Sequence, residues 1–550
     1  MGPLESGGGG HQMAKHMGRR PWYGLCRHGV GMGGNRMGWS RSVPGLICLL
    51  DGVAGEESAA RVWSVDMVWL MKLPIKPVVL LLATAAAALA VPEYAVVVSE
   101  KTWADPAWKR VADALVARHT GATVIRWQTS VVETTAPLRA AIPRHVCFVA
   151  TPAEATAAMV GDVHRLTRRL DDDPYTDVFW GILTGFDAEN ALAIAMESKP
   201  LTIRKVASGT ELALDRVDEG VCYDELKQGH SVRKQSGQAP AVEVAPGDTT
   251  QALVSALNVG APDLFVTSGH ATERDWQIGF RYPNGYFKSK AGAMRGEDTA
   301  GQIFPVLSHN PKVYLPIGNC LMGHIDGPDA MALAWMKSAG VRQMLGYIKP
   351  TWYGYMGWGV LDYFVEQPGR YTMTEAFFAN QAALVHRLET MFPEVAREEV
   401  IGDMGECAKP VHPSAAAAGA GVSTADGHGL LFDRDVVAFY GDPAWEARLA
   451  PGPLNWKQSL TASGPDEWTL TITPLAGAES FKTINTNGSQ RGGRPIVQFF
   501  PERLDPSRLK ITSGSEFHPV LTDTFILVPH PGAAAPTSAW HITFKAEKPR

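Results

Sequence analysis

From Tyr94 onward, short apolar runs alternate with amphipathic stretches. Residues 94–98 and 124–127 read as strands, and 108–119 carries Val111, Leu115 and Val116 at helical spacing. Further apolar runs lie at 146–150, 178–183, 264–267, 313–317 and 343–348, with an Ala- and Met-rich helix over 329–339 between the last two. Thr151-Pro152 places a helix start directly after the third strand, with Thr as N-cap and Pro in the first turn. Fully apolar strands separated by helices predict an α/β fold, a mostly parallel sheet with helices on both faces. Residues 410–427, rich in Ala, Gly and Ser, read as a loop. Beyond 455 the period changes to two, as in Trp468-Thr-Leu-Thr-Ile-Thr and Trp540-His-Ile-Thr-Phe, and a C-terminal β-sandwich is expected over 455–550.

Residues 1–66 show neither period and read as leader outside the fold, untranslated or disordered. In 67–90, lysines precede an apolar run over 78–88, and Ala88-Leu89-Ala90 has the small-x-small form of a cleavage site. A run that short suits a signal peptide better than a membrane span. The mature chain is therefore expected to begin at Val91, outside the cytoplasm, secreted or held in the periplasm or cell envelope, with no membrane span.

Composition narrows the partners. The 550 residues are 45% hydrophobic and 19% charged, with a net charge of −5 and a pI near 6.4. No basic surplus points to nucleic acid. The six cysteines include no CxxC pair, so neither a zinc ribbon nor a dense disulfide scaffold is indicated. No cofactor or metal is implied.

Two segments can carry chemistry. Asp263-Leu-Phe-Val-Thr-Ser-Gly-His270-Ala271 is a buried strand that ends in small residues and delivers an imidazole. Lys312-Val-Tyr-Leu-Pro-Ile-Gly-Asn319-Cys320 has the same form and delivers a thiol. Each is weak alone, since a lone His or Cys after a strand is commonly structural. Together they place a base and a nucleophile at the carboxyl ends of two strands, Cys320 following His270 by fifty residues.

That order and spacing resemble the caspase-type peptidases. Further stretches resemble the gingipain family within that clan: Val146-Cys-Phe-Val-Ala-Thr-Pro, Tyr175-Thr-Asp177-Val-Phe-Trp180-Gly, Gly340-Val-Arg-Gln-Met-Leu-Gly346-Tyr, and Gly441-Asp442-Pro443 ahead of the β-sandwich. The resemblance covers about 140–445. It implies a caspase/gingipain-like α/β catalytic domain over 91–450, divisible near 200 into two subdomains. It also implies a cysteine-type endopeptidase acting on a protein or peptide substrate, with Cys320 as nucleophile near a helix N-terminus and His270 as acid and base. The backbone N–H groups of Cys320 and Ala271 would hold the oxyanion, and Asp177 would lie near the site. Apart from the resemblance, the aromatic and Gly-rich stretch that begins at Trp352-Tyr353 directly follows a strand and is placed to wall the cleft. Ala271 departs from the family's usual Gly, and Asn319 is not its common choice before the nucleophile.

Two other classes stay open. A binding or adhesion protein with this fold and no turnover is favoured by Ala271. A metal hydrolase could draw on Cys320, His324, His270 and His309, but the His and carboxylate spacing of that class is missing. The pair Asp426-Gly-His428-Gly follows the cysteine, the wrong order for the clan. N-terminal sequencing of the exported protein is expected to start at Val91, and recovery of residues 1–66 would overturn the leader assignment.

Overall fold

The computed structural model describes residues 93–464, 466–532 and 535–547, so the leader and signal segments lie outside the described residues. Twelve strands form the central sheet. Read across it, they are β2 (Thr123–Trp127), β1 (Tyr94–Ser99), β3 (His145–Val149), β4 (Phe179–Leu183), β17 (Val437–Tyr440), β16 (Val341–Tyr347), β15 (Lys312–Pro316), β10 (Leu264–Thr267), β6 (Lys205–Ser208), β7 (Glu219–Tyr223), β8 (His230–Lys234) and β9 (Ala241–Val244). All six residues of β1, all four of β10 and all five of β15 are buried, as expected for strands covered on both faces.

The sheet is mostly parallel, as the strand and helix rhythm predicts, but it is built in two opposed halves. From β2 to β17 the strands run one way, and from β16 to β7 the other. The antiparallel pairing of β16 with β17 is the seam between them. Carboxyl ends of β10 and β15 therefore share one rim, with the amino end of β4, while β1, β3 and β4 end at the opposite rim.

Two smaller pairings decorate this sheet: an antiparallel ribbon of β11 (Asp275–Gln277), β12 (Tyr286–Lys290), β13 (Ala293–Glu297) and β14 (Ile303–Val306), and β5 (Leu201–Ile203) beside β18 (Ala447–Leu449). Among the described residues, the C-terminal region is all-β apart from short 3-10 turns. One of its sheets holds β19 (Trp456–Ala462), β20 (Glu467–Pro474), β25 (Trp540–Lys545) and β22 (Lys510–Ser513). The other holds β21 (Ile496–Phe499), β24 (Phe525–Val528) and β23 (Val520–Leu521). Period-two alternation lets the second sheet serve two cores. Ile496, Ile526 and Val528 meet Leu470, Ile472, Trp540, Ile542 and Phe544 between the sheets, while Val497, Phe499, Phe525 and Leu527 join the α/β core.

Two local expectations are corrected. No helix starts at Thr151-Pro152, because the Glu154 carboxylate turns back to accept from the Thr151 N–H and from the hydroxyls of Ser99 and Thr102. The helix instead spans Ala157–Thr167 and is capped by Thr156. Residues 410–427 are not all loop: Ala415–Gly419 is helical, and Thr424–Asp433 forms a helix on a Ser423–Asp426 capping box, burying Leu430, Leu431 and Phe432. Cys320 opens a turn and heads no helix of its own, and the next helix in the chain is Met331–Ser338.

Candidate active site

β10 and β15 are parallel neighbours, with Thr267 opposite Pro316. The chains leaving them, Ser268-Gly269-His270 and Ile317-Gly318-Asn319-Cys320, are held together by three hydrogen bonds. Ile317 N–H donates to the Thr267 carbonyl at 3.0 Å. The Thr267 hydroxyl donates to Asn319 Oδ1 at 2.7 Å, and Asn319 Nδ2 donates to the Gly269 carbonyl at 3.1 Å. Tyr314 Oη lies 2.9 Å from the Thr267 hydroxyl and completes the chain as donor. Asn319 is fully buried, so an unmet amide there would bear its whole desolvation cost. His270 and Cys320 are thereby brought to adjoining loops on one rim.

The histidine loop is shaped by several further contacts. Gly269 has φ +98°, a conformation a side chain resists. Trp276, wholly buried, donates its indole N–H to the Ser268 carbonyl at 2.7 Å. Phe280 stacks on the His270 ring with centroids 4.8 Å apart, and desolvation pulls the imidazole below its ordinary pKa. Ala271 pairs with Trp276 in an antiparallel bridge whose bonds come from the flanking residues, Gln277 N–H to the His270 carbonyl and Thr272 N–H to the Asp275 carbonyl. In that kind of pair, the N–H of Ala271 points away from the ribbon.

The sulfur of Cys320 receives the Thr351 N–H at 3.3 Å and lies 3.8 Å from the Thr351 carbonyl. Leu321 follows in the left-handed region at φ +57°, a strained choice for a branched side chain. The turn is fixed behind it: Gly323 N–H donates to the Tyr347 carbonyl at 2.9 Å, and Tyr440 Oη donates to the Gly323 carbonyl at 2.8 Å. Gly323 and Gly346 touch backbone to backbone, so that a Cβ on Gly323 would lie 2.3 Å from the Gly346 oxygen.

The expected cleft residues divide. Trp352 stays 37% exposed beside Thr351, packing on Phe432 and Tyr353. Tyr353 turns inward, and its hydroxyl donates to Asp426 at 3.1 Å. Asp177 precedes β4 on the same rim, but β17 and β16 intervene, and three strand spacings amount to about 14 Å. Its bonds run to the Leu170 N–H at 3.0 Å and, through its carbonyl, to Arg503. The nearby carboxylates of Asp171, Asp173 and Asp523 lie within 4.8 Å of one another. His428 sits on the Thr424–Asp433 helix, its Nδ1 3.0 Å from the Gly405 carbonyl.

Sequence reasoning missed Glu225. This buried carboxylate accepts from the hydroxyls of Thr210 at 2.6 Å and Ser268 at 3.1 Å, while its carbonyl accepts the N–H groups of Phe280 and Arg281. It thus braces the His270 loop from two sides. Burial raises its pKa. A Glu after a short apolar strand carries no signal to mark it.

No family model matches the chain, and no curated protein matches it. Solved structures do. Gingipain R, an Arg-specific cysteine proteinase, is 11% identical over 81% of this chain and 93% of that one, with a TM-score of 0.38. The complex of Porphyromonas gingivalis RgpB pro- and mature domains gives 11%, 80%, 94% and 0.39. A third, described only as a protease, gives 11%, 83%, 95% and 0.35.

Asn319→Ala strands the Thr267 hydroxyl and the Gly269 carbonyl, and is expected to cost about 1–3 kcal/mol in a denaturant titration. A loss below about 0.5 kcal/mol would contradict the latch. Burial, then neighbouring Asp171 and Asp173, pushes the Asp177 carboxyl up to about 9. The unfolded chain gives up that proton first, so stability falls as pH rises from about 4 through about 9. Asp177→Asn keeps an acceptor for Leu170 and is expected to stabilise by on the order of 1 kcal/mol at pH 8, and by less at pH 5. Equal shifts in melting temperature at the two pH values would refute the assignment.

Proposed function

We propose that this chain is a secreted cysteine-type endopeptidase in which Cys320 and His270 form the reactive pair. The observation that carries the reading is the Asn319 latch, which joins the two strand ends bearing a thiol and an imidazole. Export is supported by the apolar run and small-x-small site ahead of Val91. Among the described residues, no helix is long and apolar enough to cross a membrane.

The chemistry is acyl transfer. The thiolate of Cys320 attacks a peptide carbonyl carbon, and the carbonyl π electrons move onto oxygen. Backbone N–H groups of Cys320 and Ala271 donate to that oxyanion. Its collapse breaks the C–N bond as His270 gives a proton to the departing amine, leaving a thioester. Water then loses a proton to His270 and attacks the thioester. The acid leaves, and the thiolate returns.

Ala271 is 8% exposed, and its Cβ stands next to the oxyanion donor. That favours a second reading, a binding protein on the same scaffold with no turnover.

Cleavage of a mixed peptide library separates the two. Cys320→Ala is expected to lower turnover by roughly 10³-fold or more, and His270→Ala is expected to slow alkylation of Cys320 by iodoacetamide near neutral pH. Equal cleavage by wild type and Cys320→Ala, or none by either, removes the peptidase assignment. Slow alkylation of the wild type, with no response to His270→Ala, supports the binding protein.

A further inference from the structure

The segment joining β20 to β21 leaves the C-terminal β region and reaches both loops of the candidate site. Its foot is a buried ionic network. Arg491 and Arg494, with side chains 3% and 4% exposed, pair with Asp362 at 2.6 and 2.8 Å, and Arg491 also pairs with Glu366. The Gly492 N–H donates to Asp362 at 3.0 Å, and the Arg494 guanidinium lies 3.7 Å from the Tyr355 ring centroid. Both guanidinium groups thus face acidic partners, and their hydrogen bonds offset much of the cost of burial. That fixes where the rest of the segment must run.

Its tip makes two contacts. Asn487 Nδ2 donates to Glu225 Oε1 and to the Thr210 hydroxyl, each at 3.3 Å. Glu225 Oε1 is the same oxygen that holds Ser268, two residues before His270. Gly488, at φ +102°, lies flat on the Trp358 indole, where a Cβ would be 2.2 Å from Cε3. Gly318, two residues before Cys320, packs on the same indole, and a Cβ there would be 2.8 Å from Nε1. One stretch of chain thus reaches the imidazole loop through a carboxylate and the thiol loop through a ring.

We propose that residues 485–490 are a strap that completes the site, with Asn487 a positioning residue for His270 acting through Glu225, and Gly488 setting the Cys320 loop through Trp358. The assignment rests on the reading of His270 and Cys320 as the reactive pair. It makes the C-terminal β region part of the peptidase rather than an appendage. A peptide entering the cleft would pass the exposed residues Thr486, Gly488 and Ser489.

The test uses the full chain and two variants, Asn487→Ala and Gly488→Ala. Hydrogen exchange is followed at 268–271 and 318–322, and iodoacetamide alkylation of Cys320 is followed against pH. Asn487→Ala is expected to speed exchange at 268–271 by roughly tenfold and to move the midpoint of the alkylation profile by about half a pH unit. Gly488→Ala is expected to loosen 318–322 in the same way. Near-ultraviolet circular dichroism should show both variants folded. Exchange and alkylation that overlay the wild type in both variants overturn the strap. If His270→Ala leaves alkylation unchanged, the reactive pair fails separately, and the strap is then judged on exchange alone: faster exchange upholds it and unchanged exchange ends it.

Discussion

A carboxamide whose donor and acceptor ends are both used in a dry interior holds its neighbours in place, because displacement leaves a polar group unpaired. Asn319 is in that position. Its oxygen takes the Thr267 hydroxyl and its nitrogen serves the Gly269 carbonyl. The two strands would be parallel neighbours without it, but their carboxyl-terminal loops would be free to splay. With it, the imidazole and the sulfur inherit the rigidity of the sheet. Preorganisation of this sort is what the proposed pairing of Cys320 with His270 would need.

The rest of the molecule supports that latch at increasing distance. Glu225 holds the histidine loop from behind through Ser268 and from the side through Phe280. Thr351 supplies its N–H to the sulfur, and the Gly323–Gly346 contact seats the turn that follows. The two-faced sheet of β21, β24 and β23 then brings the C-terminal region against the α/β core, close enough for the 485–490 segment to touch the rim.

Much of the frame was legible because it depends on local pattern. Leu264–Thr267 and Lys312–Pro316 are uninterrupted apolar runs closed by small residues, and such runs become buried parallel strands whatever surrounds them. The alternation in 468–473 and 540–544 likewise marked the C-terminal sheets. Strand direction was not legible: Val437–Tyr440 is as apolar as the strands on either side of it, one parallel and one antiparallel, and nothing in four residues tells which way they will run. The capped helix Thr424–Asp433 was hidden by glycines, while its stability comes from a capping box and from Leu430, Leu431 and Phe432 buried by distant elements. Thr151-Pro152 misled because Glu154 had better partners in Ser99 and Thr102 than a helix could offer. Within the site, the order of His270 and Cys320 could be read from the chain. The roles of Asn319, Glu225 and Asn487 could not, since each is defined by a partner between 15 and 277 residues away.

The seam between β16 and β17 gives the sheet two rims of opposite sense. The thiol and imidazole occupy one, and the loops after β1, β3 and β4 close the other. A five-residue strand separates the rims by about 17 Å. Side chains around Ser99 and Glu154 therefore lie out of contact with the loops that carry His270 and Cys320, and a substitution at one rim leaves the packing of the other in place.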